Sequence, residues 1–194
     1  MQRISSPSRM VAVFIACLLL SVAADVSGWT QTPGAEQAAS LAAWDKIVAV
    51  LQHPRCLNCH QLDRPLQGDA RRVHIPTVAR GADNLGMGTM RCYNCHNDTG
   101  NNEMAGVPGA HDWQLAPANM LWQGVSSADL CKSIKDPALY HHPLPEAIIE
   151  HMNTDLVRWG WKPGGRREPI PISHDEFVGL VKVWISGGLV CPQQ

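Results

Sequence analysis

The sequence predicts a mainly α-helical fold with long irregular loops, on three observations. Apolar residues recur at helical spacing in several segments. No run alternates as an organised sheet would. The pentad Cys56-Leu57-Asn58-Cys59-His60 recurs as Cys92-Tyr93-Asn94-Cys95-His96 among stretches rich in Gly, Pro, Arg and Asp.

The elements follow in chain order. Arg3 and Arg9, an apolar run from Met10 to about Leu20, and the small residues Ala23 and Ala24 read as a signal peptide over 1–24. Cys17 falls inside that run and leaves with it. Residues 25–38 read as a leader without strong periodicity. Ser40–Leu51 is a helix, with Trp44, Ile47, Val48 and Leu51 on one stripe, and Pro54 interrupts it before the first pentad. Residues 61–91 and 97–112 read as loop, with Gly81, Gly86 and Gly88 permitting tight passage. Pro117–Trp122 is a candidate short helix. Ser126 or Ser127 can cap a helix that ends before Pro137. Leu144–Trp159 is one helix with Pro145 in its first turn. Residues 163–173 are irregular. Ser173 and Glu176 form a capping box for the last helix, which Gly187-Gly188 stops.

Each CxxCH pentad is the attachment signature of a covalent haem. The two cysteines can form thioethers to one porphyrin, and the next residue, His60 or His96, reaches the iron. Two covalently attached haem c groups are therefore expected, on Cys56, Cys59, Cys92 and Cys95. Positions 56 and 92 are only 36 residues apart, which favours one diheme unit over 39–191. Its first haem region is 39–91 and its second 92–191. The chain has 7 Trp but only 2 Phe and 2 Tyr, so two porphyrins are expected to supply much of the core.

A signal peptide implies an oxidising compartment. Seven cysteines are present. Those in the pentads and Cys17 set aside, Cys131 and Cys191 remain and are expected to form a disulfide. Without Arg3 and Arg9 the 16 basic side chains become 14 against 17 acidic ones, a net charge of −3. No basic tail or aromatic-basic face supports nucleic-acid binding. No stable membrane insertion is expected after signal cleavage.

The sixth iron positions have several candidates. His74 leads for the first haem, with Met87 and Met90 as alternatives. His151 leads for the second, with His111, His141, His142, His174, Met104 and Met120 open. His53 is expected to orient the first pentad or bind a propionate. Arg72, Arg80, Arg91, Arg158, Arg166 and Arg167 are candidate propionate partners. Trp113, Trp122, Trp159, Trp161 and Trp184 are candidates to pack on the haems.

On its two pentads, the chain resembles small periplasmic diheme c-type cytochromes, and its last helix is similar to the closing helix of class I cytochromes. The resemblance implies a compact c-type cytochrome with haem-wrapping loops that transfers electrons in the periplasm. It also implies redox-protein partners, among them a molybdenum-dependent oxidoreductase. The expected function is a carrier without bond-making residues. A haem peroxidase or small-molecule reductase with one open axial site is the enzymatic alternative, and a redox-sensing module the third.

Overall fold

A computed structural model of the chain describes residues 33–139 and 144–193. The signal peptide, the leader up to residue 32, Cys17 and the His141-His142 pair lie outside them. Helix α1 (Pro33–Leu51) begins earlier than the expected Ser40. The end of the expected leader, Gly34-Ala35-Glu36-Gln37-Ala38, is helical because Pro33 sits in the first turn and Ala, Glu and Gln are strong helix formers. Helix α2 (Pro54–Leu57) follows at once. Pro54 thus starts a new turn as well as ending the old one. A hairpin of two-residue strands, β1 (Leu66–Gln67) and β2 (Arg72–Val73), pairs antiparallel where only loop was expected.

Helix α3 (Ser127–Ile134) is capped by Ser126, whose hydroxyl accepts from the Asp129 amide at 3.1 Å. The expected helix over 144–159 is two: α4 (Leu144–Met152) and α5 (Asp155–Arg158), the latter followed by a 3-10 turn over Trp159–Trp161. The break lies at Asn153-Thr154. Thr154 caps α5 by accepting from the Val157 amide, while Asn153 turns its side chain back to the Ile149 carbonyl at 2.7 Å. Helix α6 (His174–Ser186) is capped by Ser173, which accepts from the Glu176 amide at 3.1 Å. Residues 117–122 form no helix; a turn from the Met120 amide to the Pro117 carbonyl, 2.8 Å, replaces it.

The described chain is thus a compact, mainly α-helical domain with little sheet. Its side-chain core lies between α1, α3, α4 and α6. Ala43, Trp44, Ile47, Val50 and Leu51 of α1 meet Phe177, Val181 and Trp184 of α6. Trp44 and Trp184 pack with ring centres 4.8 Å apart. Deleting either indole would cost about 3–5 kcal/mol. The fully buried Ser40 joins the two helices, donating to the Trp184 carbonyl at 2.8 Å and accepting from the Val190 amide at 3.1 Å. Gly187 permits this approach, since a Cβ there would stand 2.5 Å from the Glu36 carbonyl oxygen. Cys131 of α3 is disulfide-bonded to Cys191, which fastens the chain end to this core. Trp161 and Trp184, candidates for haem packing, belong here instead, Trp161 lying against Phe177.

The other half is built differently. Between Leu62 and Gln114 the buried residues are Val78, Gly86, His96, Gly109 and Ala110. Arg80 holds this segment together. It donates to the carbonyls of Gln61, Leu62 and Ala116 and to the Asn84 side chain. No described helix is long and apolar enough to cross a membrane.

Candidate functional site

The first pentad is carried by the turn that α2 begins. His53 caps that turn: its Nδ1 accepts from the Arg55 amide at 3.2 Å. This is the orienting role expected of it. The Cys59 and His60 amides both donate to the Cys56 carbonyl, at 3.1 and 3.2 Å, which gathers both thiols and the imidazole on one turn. The buried His60 ring stacks on Trp122, 3.3 Å between centres and 9° from parallel. Its Nδ1 lies 3.0 Å from the Met120 carbonyl oxygen, which can only accept. Nδ1 therefore carries the proton and Nε2 keeps its lone pair. Burial holds the His60 pKa down to about 3. It pushes the Cys56 thiol up to about 12 and Cys59 up to about 11.

The second pentad repeats this construction. A 3-10 turn over Cys92–Asn94 sends the Cys95 and His96 amides to the Cys92 carbonyl, at 3.2 and 2.8 Å. Gly86 lets the approaching loop fold tightly: its φ is +86° and a Cβ would collide with the Met90 carbonyl. His96 Nδ1 donates to the Pro108 carbonyl at 2.7 Å. Its ring stacks on Trp113, 4.5 Å between centres and 8° from parallel. Burial lowers its pKa. Each pentad histidine thus has one nitrogen fixed by a carbonyl and one face covered by a tryptophan.

The two leading sixth-position candidates lie elsewhere than their order in the sequence suggests. His74 was expected beside the first pentad but lies beside the second, its ring centre 5.9 Å from that of His96. The Asn58 carbonyl accepts from the Leu66 amide, and the hairpin returns Val73 beside Leu66, so that His74 follows directly on the strand that lines the cavity. His74 Nδ1 donates to the Pro76 carbonyl at 2.8 Å, so its Nε2 is also free to act as a base. His151 was expected beside the second pentad. It is partly buried on α4, burial lowers its pKa, and it lies within electrostatic range of His60. Leu57 and Cys56 of the first pentad pack with the helical core, to which Ile148 and Met152 of α4 also belong.

Of the other candidates, Met90 is among the residues that line a cavity bordered by both pentads. His174 has both nitrogens in use, Nε2 donating to the Met152 carbonyl at 2.8 Å and Nδ1 accepting from Arg158 at 3.3 Å. His111 is exposed beside Asp112. Met104 is fully exposed and Met87 largely so. Met120 serves through its carbonyl.

A cavity of about 430 Å³ joins the two pentads. Cys59 borders it from the first, and Cys92, Cys95 and His96 from the second, with His74, Trp113 and Trp159. Arg55, Arg72, Arg91 and Arg167 line it, and no Asp or Glu is among its described lining residues. Of the arginines read from the sequence, Arg80 and Arg158 are committed to other partners away from this wall. Arg55 was missed. Its one signal is that it immediately precedes Cys56. Three buried polar atoms have no partner among the described residues: Arg55 Nε, Asn58 Oδ1 and Trp122 Nε1. The first two residues line the cavity. No cluster of three or more His, Cys, Asp or Glu forms a metal cage among the described residues.

Comparison with protein families, curated proteins and solved structures gives no match for this chain.

Proposed function

We propose that the chain is an exported electron carrier with two covalent haems, of c-type cytochrome architecture, working in the periplasm. One observation carries the reading. Both CxxCH turns hold a histidine whose Nδ1 is fixed by a carbonyl, leaving Nε2 basic, and both border one cavity. Two imidazoles bound on opposite sides of one metal ion, at about 2 Å per bond, have ring centres roughly 6 Å apart. The His74–His96 spacing of 5.9 Å agrees with that. A haem iron needs only two protein ligands, so the absence of a larger cluster does not weigh against it. The arginine-rich, acid-free lining suits an apolar ring that carries carboxylates.

Cys56, Cys59, Cys92 and Cys95 would attach the two haems. His60 with His151, and His96 with His74, would hold the irons. When bound, each haem supplies a one-electron ferric–ferrous couple whose potential its axial ligands set. The chain's own residues orient and enclose. The carbonyls of Met120, Pro108 and Pro76 hold protons at Nδ1 of His60, His96 and His74. Trp122 and Trp113 cover the imidazoles. With His74 and His151 also available to hold the irons, the bound haems would favour electron transfer over small-molecule chemistry. Partners of this class are periplasmic redox proteins, with a molybdenum-dependent oxidoreductase as a donor.

Haem analysis of the exported protein tests the reading. Alkaline pyridine spectra should give two covalent haems per chain, with low-spin signals for both by electron paramagnetic resonance. A chain exported beside a working haem-attachment system that carries no covalent haem would refute it.

A further inference from the structure

We infer that Arg55, a residue of the first attachment segment, positions the haem carried by the second pentad by binding one of its propionates together with Arg167. The inference rests on the diheme reading above.

Arg55 is unusually placed for a charged residue. Its side chain is 1 % exposed. Its guanidinium lies over the Trp159 ring, 5.7 Å from the centroid, and Gly160 leaves room for its stem. Nη2 donates to Asp69, and Nε is buried without a partner among the described residues. Asp69 is a weak counter-charge, because its side chain is 40 % exposed and it also accepts from the Glu168 amide. Arg167 adds a second guanidinium within electrostatic range. It is fixed by the carbonyls of Pro163, Gly164 and Gly106. Two immobilised guanidiniums on one wall of a cavity, with a buried donor to spare, form a carboxylate site.

The chemistry of haem c says which haem this site serves. Thioethers and propionates occupy opposite edges of the macrocycle. Arg55 immediately precedes Cys56 and lines the cavity together with Cys59. It therefore lies at the thioether edge of its own haem, away from that haem's carboxylates. Across the shared cavity are Cys92, Cys95 and His96. The carboxylates within its reach are those of the second haem. A cation there disfavours the ferric charge, so Arg55 also raises that haem's potential, and Asp69 moderates the effect.

The test is potentiometric titration of full-length holoprotein, followed by electron paramagnetic resonance, for wild type, R55Q, R167Q and D69N. The haem that His74→Ala turns high-spin identifies the second site. R55Q and R167Q should lower its midpoint. A tenfold change in the reduction equilibrium corresponds to about 59 mV for a one-electron couple. D69N should raise it, and the other haem should move less. A purely structural role would not give opposite signs. Shifts of one sign in R55Q and D69N, a larger shift at the other haem, or no shift would overturn the inference. If R55Q does not fold, R167Q and D69N carry the same opposed prediction. A haem-free wild type would instead refute the diheme reading, and its pyridine spectrum reports that before any variant is made.

Discussion

The ring centre of His74 lies 5.9 Å from that of His96, and each ring gives its Nδ1 proton to a carbonyl two or twelve residues further along, Pro76 or Pro108. Both Nε2 atoms are thereby left basic on neighbouring rings. His60 has the same construction on the first pentad, and His151 is the histidine within electrostatic range of it. In space the sequence order is crossed: His74 lies beside the later pentad.

That crossing can be tested in single-haem variants. In a C92A/C95A background only the haem on Cys56 and Cys59 remains. His151→Ala should turn it high-spin, whereas His74→Ala should leave its visible and resonance spectra unchanged. In a C56A/C59A background the outcomes should reverse. A response to His74→Ala in the first background would restore the sequence-order pairing.

Much of the site was legible locally, and what was missed depends on distant packing. The pentads, the caps at Ser126 and Ser173 and the Cys131–Cys191 pair each need only spacing or elimination. The Asn153-Thr154 break was equally local, but its apolar periodicity continues through it and hid the capping threonine. Which histidine meets which pentad is not written in spacing at all. It depends on approaches between segments distant in sequence, such as that of His74 to His96. Arg55 was invisible for a similar reason: only the folded chain brings Trp159, Asp69 and Arg167 around it.

The disulfide closes a separation of 60 residues between α3 and the chain end. Constraining the unfolded chain over that span is worth roughly 4 kcal/mol in the ideal entropy treatment, and commonly less. C131A/C191A should therefore lower the denaturant midpoint at unchanged slope. The haem spectra should stay as they are while the protein is folded, because neither cysteine borders the cavity. A spectral change at native conditions would mean that α3 and the chain end shape the haem sites directly.

His53 predicts an acid sensitivity that is separable from the iron ligands. Burial lowers its pKa from 6.5, and the neighbouring Arg55 lowers it further, against smaller opposing contributions from Glu168 and Asp69. The folded protein prefers the neutral ring, which its cap to the Arg55 amide also needs. The unfolded chain then binds more protons below pH 6.5, so this contribution is complete above that pH and is lost as pH falls through the folded value. His53→Asn supplies a cap that does not titrate. Its unfolding free energy should fall less steeply than wild type as pH drops below 6.5. Parallel profiles for the two proteins would remove His53 from the account.

Arg80 makes the sharpest prediction for the loop half, because one side chain does there what a hydrophobic core does elsewhere. Among the described residues, the acid that acts on its guanidinium is Asp63, at electrostatic range. The guanidinium joins carbonyls from Gln61, Leu62 and Ala116 to the Asn84 side chain. Hydrogen bonds to a charged donor are each worth about 1.5–3 kcal/mol. They are not additive here, since the four acceptors are coupled through one group. Arg80→Ala should cost at least one such bond's worth, and Arg80→Lys should recover little, because an ammonium lacks the planar fork that spans these positions. Limited proteolysis should show the cost locally: cleavage between residues 61 and 91 should accelerate, while the helices around Trp44 and Trp184 stay protected. The second pentad is reached through this segment, with the Asn84 carbonyl also accepting from Leu115 beside Trp113. Arg80→Ala should therefore broaden the resonance signal of the His96 haem before it disturbs that of the His60 haem. Equal broadening of both would show that Arg80 braces the whole domain and not the second site's approach.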